Sequence, residues 1–265
     1  MRPSTVRSIV ASERDVSVVP WSDSERARRY DSDDNRNFYG MLLSRLVAGV
    51  VRFPQGRGLD LGCGSGFATE KLVQSFPCVA WEGVDVSSPM LARAAVKPTL
   101  ADVSLRHAAA EALPYATGSF DVVVSNFSWH WFGAGAGNEV LRVLRPGGWL
   151  LVSAPLRHFS NANGNRWLAR RLHGCRRNFR RLGSQGIRIE EMANLLPGNM
   201  RIHRLESVVV EERFPDAAAL LATLESRGSL YAIFGADGCG VFGEAPAVGL
   251  PFEWHVGLLH AQVRT

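Results

Sequence analysis

The chain has no CxxC pair. Its four cysteines, Cys63, Cys78, Cys175 and Cys239, stand far apart among 265 residues. That spacing argues against a zinc site or a disulfide framework and suits a reducing cytosol. No apolar run reaches the length of a membrane span, and the opening MRPSTVRSIVASERD holds no apolar core of a secretory signal. Internal repeats and low-complexity tracts are missing too. Acid is absent from Val140 to Ile189, where eleven arginines stand. The formal net charge of +5 is therefore unevenly placed. An acidic partner competes with a plain solvated basic face as the explanation.

What is present suffices for one sizeable core, with 46% hydrophobic and 9% aromatic residues. Residues 1–23 read as a leader, and 24–265 as one domain. From Ser24 to Val51 the pattern is helical, with Phe38, Leu42, Leu46 and Val50 recurring every four residues. Pro54 and Gly56 break it. Strand and helix signals then alternate: strands at 57–61, 79–86, 103–109, 119–127 and 149–155, helices at 67–76, 88–96 and 138–148. Two more strands are expected at 204–214 and 250–263, with a helix at 216–228 between them. This alternation predicts an α/β fold with a doubly wound, mostly parallel seven-stranded sheet. A helical lid is expected as an insertion after the fifth strand, at 156–200. Ligands of such sheets bind at the carboxyl ends of the strands. Asp60, Asp85, Asn126 and Ala154 all fall at predicted strand ends and so share one rim.

The stretch RGLDLGCGSGF (57–67) reads as a strand ending in a glycine turn that opens a helix. Its glycines, Gly62, Gly64 and Gly66, have GxGxG spacing rather than the GxGxxG of dinucleotide sites. Asp60 stands two residues ahead of the first glycine, at the mouth of the turn, where it would repel a diphosphate. An ammonium or sulfonium would be attracted instead, and glycines let the backbone press against a bulky ligand. S-adenosylmethionine meets both demands. Asp85, at the end of the second strand, can take a ribose diol.

LDLGCGSG (59–66), GVDVSSPML (83–91), AEALPYATGSFDVVVSN (110–126) and EVLRVLRPGGWLLVSAP (139–155) together resemble the class I S-adenosylmethionine-dependent methyltransferases. Within that family, RRYDSDDNRNFYGMLLSRL (28–46), SWHWF (128–132), ERFPDAAALLATLESRG (212–228) and LPFEWHVGLLHAQ (250–262) resemble the malonyl-acyl-carrier-protein methyltransferases of biotin synthesis. The resemblance implies a cofactor site at Asp60, Gly62, Cys63, Gly64, Gly66, Asp85, Val86, Ala110, Glu111 and Asn126, with S-adenosylhomocysteine as the by-product. One position departs from the family pattern. Where an Asp often bonds the adenine amino group, this chain has Ala109, followed by Ala110 and Glu111. The backbone N–H of Ala110 can still meet an adenine ring nitrogen. The lost side-chain bond is worth about 0.5–1.5 kcal/mol and predicts weaker cofactor binding.

Methyl transfer from a sulfonium needs the nucleophile held in line, and a carboxylate nucleophile needs no general base. Arg157, His158 and Tyr30 are candidates to hold such a carboxylate, and His130 and Trp131 to wall the transferring methyl. A histidine or tryptophan near a cleft also has an ordinary packing reading. Cys63 reads as a small filler. The expected acceptor is a small-molecule or carrier-bound acyl group in biosynthetic or natural-product metabolism. RWLARRLHGCRRNFRRLG (166–183) carries apolar residues at 168, 172, 175, 179 and 182, one helical stripe among arginines. That face could steer an acidic acyl carrier protein. No basic groove with interleaved aromatics argues for nucleic acid. Two other readings keep the fold: an enzyme that binds the cofactor but catalyses a non-methylating reaction such as a cyclisation, and a non-catalytic binding subunit. No metal site is expected.

Overall fold

A computed structural model of the chain describes residues 20–48, 50, 55–157, 162–173, 187–194, 196–229 and 249–265. Seven strands form one sheet: β1 (Gly56–Leu61), β2 (Val79–Asp85), β3 (Ser104–His107), β4 (Phe120–Asn126), β5 (Leu144–Pro155), β6 (Met200–Phe214) and β7 (Leu250–Val263). Their order across the sheet is β3-β2-β1-β4-β5-β7-β6. The first five pair in parallel, and β7 runs antiparallel to both its neighbours. The order reverses between β1 and β4, so the switch point of the sheet lies there. All seven residues of β4 are buried, as a central strand covered on both faces requires.

The helices are α1 (Ser24–Tyr30), α2 (Asp33–Val47), α3 (Phe67–Ser75), α4 (Ser88–Ala95), α5 (Ala136–Val143), α6 (Asn163–His173), α7 (Ile189–Asn194) and α8 (Ala217–Ser226). Short polar side chains start several of them by taking an otherwise orphaned backbone N–H. Asp23 accepts from Arg26 at 2.8 Å, Ser87 from Met90 at 3.3 Å, and Asp216 from Ala219 at 2.8 Å. Two apolar clusters fill the fold. One joins Phe38, Leu42 and Leu46 of α2 to Leu220 and Leu224 of α8 and to Phe252 and Trp254 of β7. The other joins Leu59, Leu61, Val123, Val140 and Leu150.

Several expected boundaries shift, β6 for one opening at Met200 and not at residue 204. The helical stretch from Ser24 is two helices, because Ser32 caps a new one by accepting from Asn35 at 3.4 Å. The helix expected through residue 148 ends at Val143, and Leu144 opens β5 opposite Phe120 with ψ 138°. Leu144 is buried by that pairing, and Gly147 absorbs the following bend at φ +76°.

The expected leader lies partly outside the described residues, at 1–19. Pro20–Ser22 form a 3-10 turn packed on the domain, so the boundary expected at residue 23 falls inside a packed segment. In the expected insertion, 158–161, 174–186 and 195 lie outside the described residues, and with them His158 and most of the arginine-rich stretch. Its described parts pack on the β5–β7–β6 end of the sheet. Asn165 exchanges two hydrogen bonds with the backbone of Glu253, Leu156 bridges to Ile187, and Met192 presses on Gly257.

Candidate active site

The turn after β1 is built from glycines for want of room. Gly66 holds φ +88° at the head of α3, and a Cβ there would stand 2.5 Å from Leu100. Gly62 holds φ +75°, and its Cβ would stand 2.5 Å from the Ser128 hydroxyl. Side chains are excluded at both by conformation and by space. At Gly64 the nearest atom to a Cβ would be Cε1 of Tyr30, 4.0 Å away. That side of the turn faces an aromatic ring across an open gap.

Two carboxylates support the turn from below. Asp85 accepts from the backbone N–H of Gly64 and of Ser87, each at 2.8 Å. A carboxylate offers about four acceptor positions, so acceptor capacity remains for a ligand. Asp60 is only 1% exposed and accepts from Thr69 Oγ1 at 2.6 Å, while its Oδ1 is buried without a hydrogen-bond partner. Burial pushes its carboxyl up to about 7; the Thr69 hydroxyl opposes this, and the charge of Asp85 adds to it. The sequence places Asp60 at the mouth of the turn, whereas the structure sets it beneath. β1 is a central strand, so either face of it is interior. The Ser65 hydroxyl in the same turn is also buried and unpartnered. Two orphaned polar atoms under one glycine turn are costly unless a ligand or water satisfies them.

The segment over the turn is N-terminal. The Trp21 carbonyl accepts from Ser87 Oγ at 2.5 Å, and Trp21 packs on Gly228. Asp31 pairs with Arg93 at 2.8 Å and Lys97 at 3.1 Å, so residues 20–31 are fastened to α4. Arg29 reaches Glu225 of α8 at 3.0 Å. Tyr30 stacks on Phe67, the first residue of α3, at 5.6 Å between centroids. Burial, with Tyr39 and Asp85 nearby, raises the Tyr30 phenol well above its usual range.

Tyr30, His130 and Trp131 come together in one aromatic group. Trp131 meets Trp21 edge-on at 6.5 Å, and His130 lies 4.9 Å from Trp131 and 5.7 Å from Phe127. Arg157 is elsewhere. Its N–H donates to Ile187, and its guanidinium lies 3.6 Å from Glu191 in the insertion. Asn126 is buried at the end of β4 and binds protein groups, donating to the Tyr39 carbonyl at 3.0 Å and accepting from Ser153 at 2.8 Å. Val86 is exposed beside the β2 end, with His107 on its carbonyl at 2.8 Å. Ala110 is buried in the second cluster. Glu111 turns away to accept from Gly133 N–H. Burial and the two acids push the Cys63 thiol up, which suits a filler and not a nucleophile. Trp21, Ser65, Phe127 and Ser128 also build the site. Ser65 and Ser128 lie within motifs already quoted, LDLGCGSG and SWHWF, whereas Trp21 and Phe127 carried no site signal.

Residues 59–152 match the family described as a methyltransferase domain. Over that span the chain is similar to methyltransferase domains. The match starts one residue before Asp60 and ends within β5, so the matched span contains the whole rim from β1 to β5. The chain is 40% identical over 117 residues to a malonyl-acyl-carrier-protein O-methyltransferase of Alcanivorax borkumensis, covering 43% of this chain and 39% of that protein. It is 35% identical over 116 residues to a trans-aconitate 2-methyltransferase of Deinococcus radiodurans, covering 43% of each. The chain thus spans about two-fifths of the length of these curated relatives. Among solved structures, the cyclase SpnF superposes with TM-score 0.56 at 18% identity, over 85% of this chain and 82% of that one. That likeness shows the fold alone.

The cofactor that this similarity implies is S-adenosylmethionine. The residues present fit it. The buried, unpartnered Asp60 oxygen suits an ammonium, the remaining acceptor capacity of Asp85 suits a diol, and the open side of Gly64 leaves room for a ligand.

Proposed function

We propose that this chain transfers a methyl group from S-adenosylmethionine to a carboxylate oxygen of a small-molecule or carrier-bound acyl acceptor, a malonyl-type thioester being the specific reading. The observation that carries it is the pair of acids under the glycine turn, Asp60 buried with one oxygen unsatisfied and Asp85 partly exposed beside it. A phosphate ligand would meet like charge there, and a cationic amino acid would not. Two relatives of different printed names, one acting on a malonyl carrier and one on trans-aconitate, support a carboxylate as the acceptor.

When bound, the cofactor supplies an electrophilic methyl on a sulfonium. The chain's own residues bind, orient and dry the site. Asp60, in its ionised form, would face the cofactor's ammonium. Asp85 would take the ribose hydroxyls, and the Ala110 N–H would meet the adenine. Tyr30, Trp21 and Trp131 close over the turn and exclude water, which strengthens attraction between an anionic acceptor and a cation. The acceptor is already ionised at neutral pH, so no side chain removes a proton. His130 stands on the acceptor side as a hydrogen-bond donor to the second carboxylate oxygen. Arg157, engaged with Glu191 in the insertion, is proposed for the outer acceptor and not for the reacting atoms. The arginine-rich stretch is proposed to steer an acidic carrier.

The test is transfer of labelled methyl to a panel of malonyl thioesters, free di- and tricarboxylates and amines. Label released as methanol by mild base marks an ester and supports the reading. Label found only on nitrogen or carbon refutes the carboxylate.

A further inference from the structure

Six aromatic side chains at the rim close into a circuit. Trp21 and Tyr30 lie 5.1 Å apart between centroids, Tyr30 and Tyr39 5.3 Å, and Tyr39 and Phe127 5.7 Å. Phe127 and His130 are separated by 5.7 Å, His130 and Trp131 by 4.9 Å, and Trp131 and Trp21 by 6.5 Å. Three separate stretches supply it: the N-terminal segment gives Trp21 and Tyr30, α2 gives Tyr39, and the chain after β4 gives the rest. One member is held against its own preference. Phe127 sits at φ +61°, the only non-glycine with positive φ among the described residues. Its N–H is pinned by the Ser153 carbonyl and hydroxyl, each at 2.9 Å. A bulky residue in that conformation costs free energy that a plain packing role does not explain.

Charges of both signs lie around the circuit, acids on the side of the turn and Arg227 beside Tyr30 and Tyr39. Tyr30 faces Gly64 of the turn, and Asp85 lies near enough to raise its phenol. Asp60 is next to Asp85. The rings flanking the circuit already carry cations on their faces: Lys97 stands 4.2 Å from the centroid of Phe67, and Arg227 stands 3.8 Å from that of Phe38. Aromatic faces carry the negative part of the ring quadrupole and attract diffuse, poorly hydrated cations best.

We propose that this circuit is a cation cage for the methyl-bearing sulfonium, so that the chain tells charged cofactor from its neutral, demethylated product by ring faces. The proposal rests on the cofactor reading above and adds Trp21 and Phe127, beside the Trp131 already expected to wall the methyl, as positioning residues. Trp21 and Tyr30 belong to the N-terminal segment, so the cage is complete only while that segment is docked.

Calorimetry tests it with three probes: S-adenosylmethionine, S-adenosylhomocysteine, and the analogue whose protonated amine replaces the sulfonium. Trp131→Leu and Trp21→Leu should each weaken both cationic probes about five- to tenfold and leave the neutral one within about twofold. Trp131→Phe keeps a π face and should retain most of the preference. Trp21→Leu keeps the test open if the Trp131 variants fail to fold, since it changes the N-terminal segment and not the sheet. Equal loss for all three probes, or an unchanged preference in both Leu variants, overturns the cage while the cofactor reading stands. If the unmodified protein binds none of the probes, the cofactor reading itself falls.

Discussion

Replacing Asp60 with asparagine should make the ligand-free protein more stable at high pH while weakening cofactor binding. In the folded protein the Asp60 carboxyl is pushed from 3.8 up to about 7, chiefly by burial. Between those values the folded chain keeps a proton that the unfolded chain has released. Stability must therefore fall as pH rises through this window, and above the folded pKa the penalty is fully present. Roughly three pH units at about 1.4 kcal/mol each give a penalty of about 4 kcal/mol at most. Asp60→Asn has no proton to lose and escapes it. The new amide carries its own cost, about 1–3 kcal/mol for a buried N–H without an acceptor, but that cost is the same at every pH. Urea denaturation of both proteins between pH 4.5 and 8 measures the difference directly. The advantage of Asp60→Asn should grow by at least about 2 kcal/mol across that range, and a ligand titration at pH 8 should show weaker S-adenosylmethionine binding. A stability difference that does not move with pH would show that the carboxyl titrates normally, and with it the claim of a buried, ligand-seeking acid would fail.

Restoring the family side chain with Ala109→Asp should tighten S-adenosylmethionine roughly two- to tenfold, the value of one hydrogen bond; unchanged affinity would mean the adenine lies elsewhere. Lys97→Met leaves Asp31 and Glu70, 3.1 and 3.5 Å from the removed ammonium, without one of their partners. It should cost about 1–3 kcal/mol in a thermal melt, with faster tryptic cleavage after Arg26, Arg28 and Arg29 as the N-terminal segment loosens. Arg177→Glu with Arg181→Glu should slow turnover of a carrier-bound acceptor at low salt and leave a small thioester untouched; a loss on both substrates would mark a folding defect and not a docking surface.

Strands were legible in the sequence because their signals are local. Continuous apolar runs such as Val122–Val124 and the glycine turn at 62–66 set β1, β4 and the switch point between them. The helix terminus near Val143 was not. Pro146 and two glycines are a strong stop signal, but Leu144 leaves the helix earlier to pair with Phe120, and pairing is a long-range fact. The candidate site divides in the same way. Asp60, Asp85 and the glycines were found because their spacing carries chemistry. The burial of Asp60 was not, because spacing fixes a register and not which face of a central strand a ligand reaches. Trp21 looked like part of a leader. It becomes part of the site only when the Asp31 pairs with Arg93 and Lys97, contacts spanning more than sixty residues, bring the N-terminus across the turn. The left-handed Phe127 had no sequence signal at all, since nothing in the residue type favours that backbone. The cage is assembled from these least legible residues. Its local sequence cost, a strained phenylalanine and a tryptophan far from any motif, is the kind of departure from local preference expected where binding and not folding sets the choice.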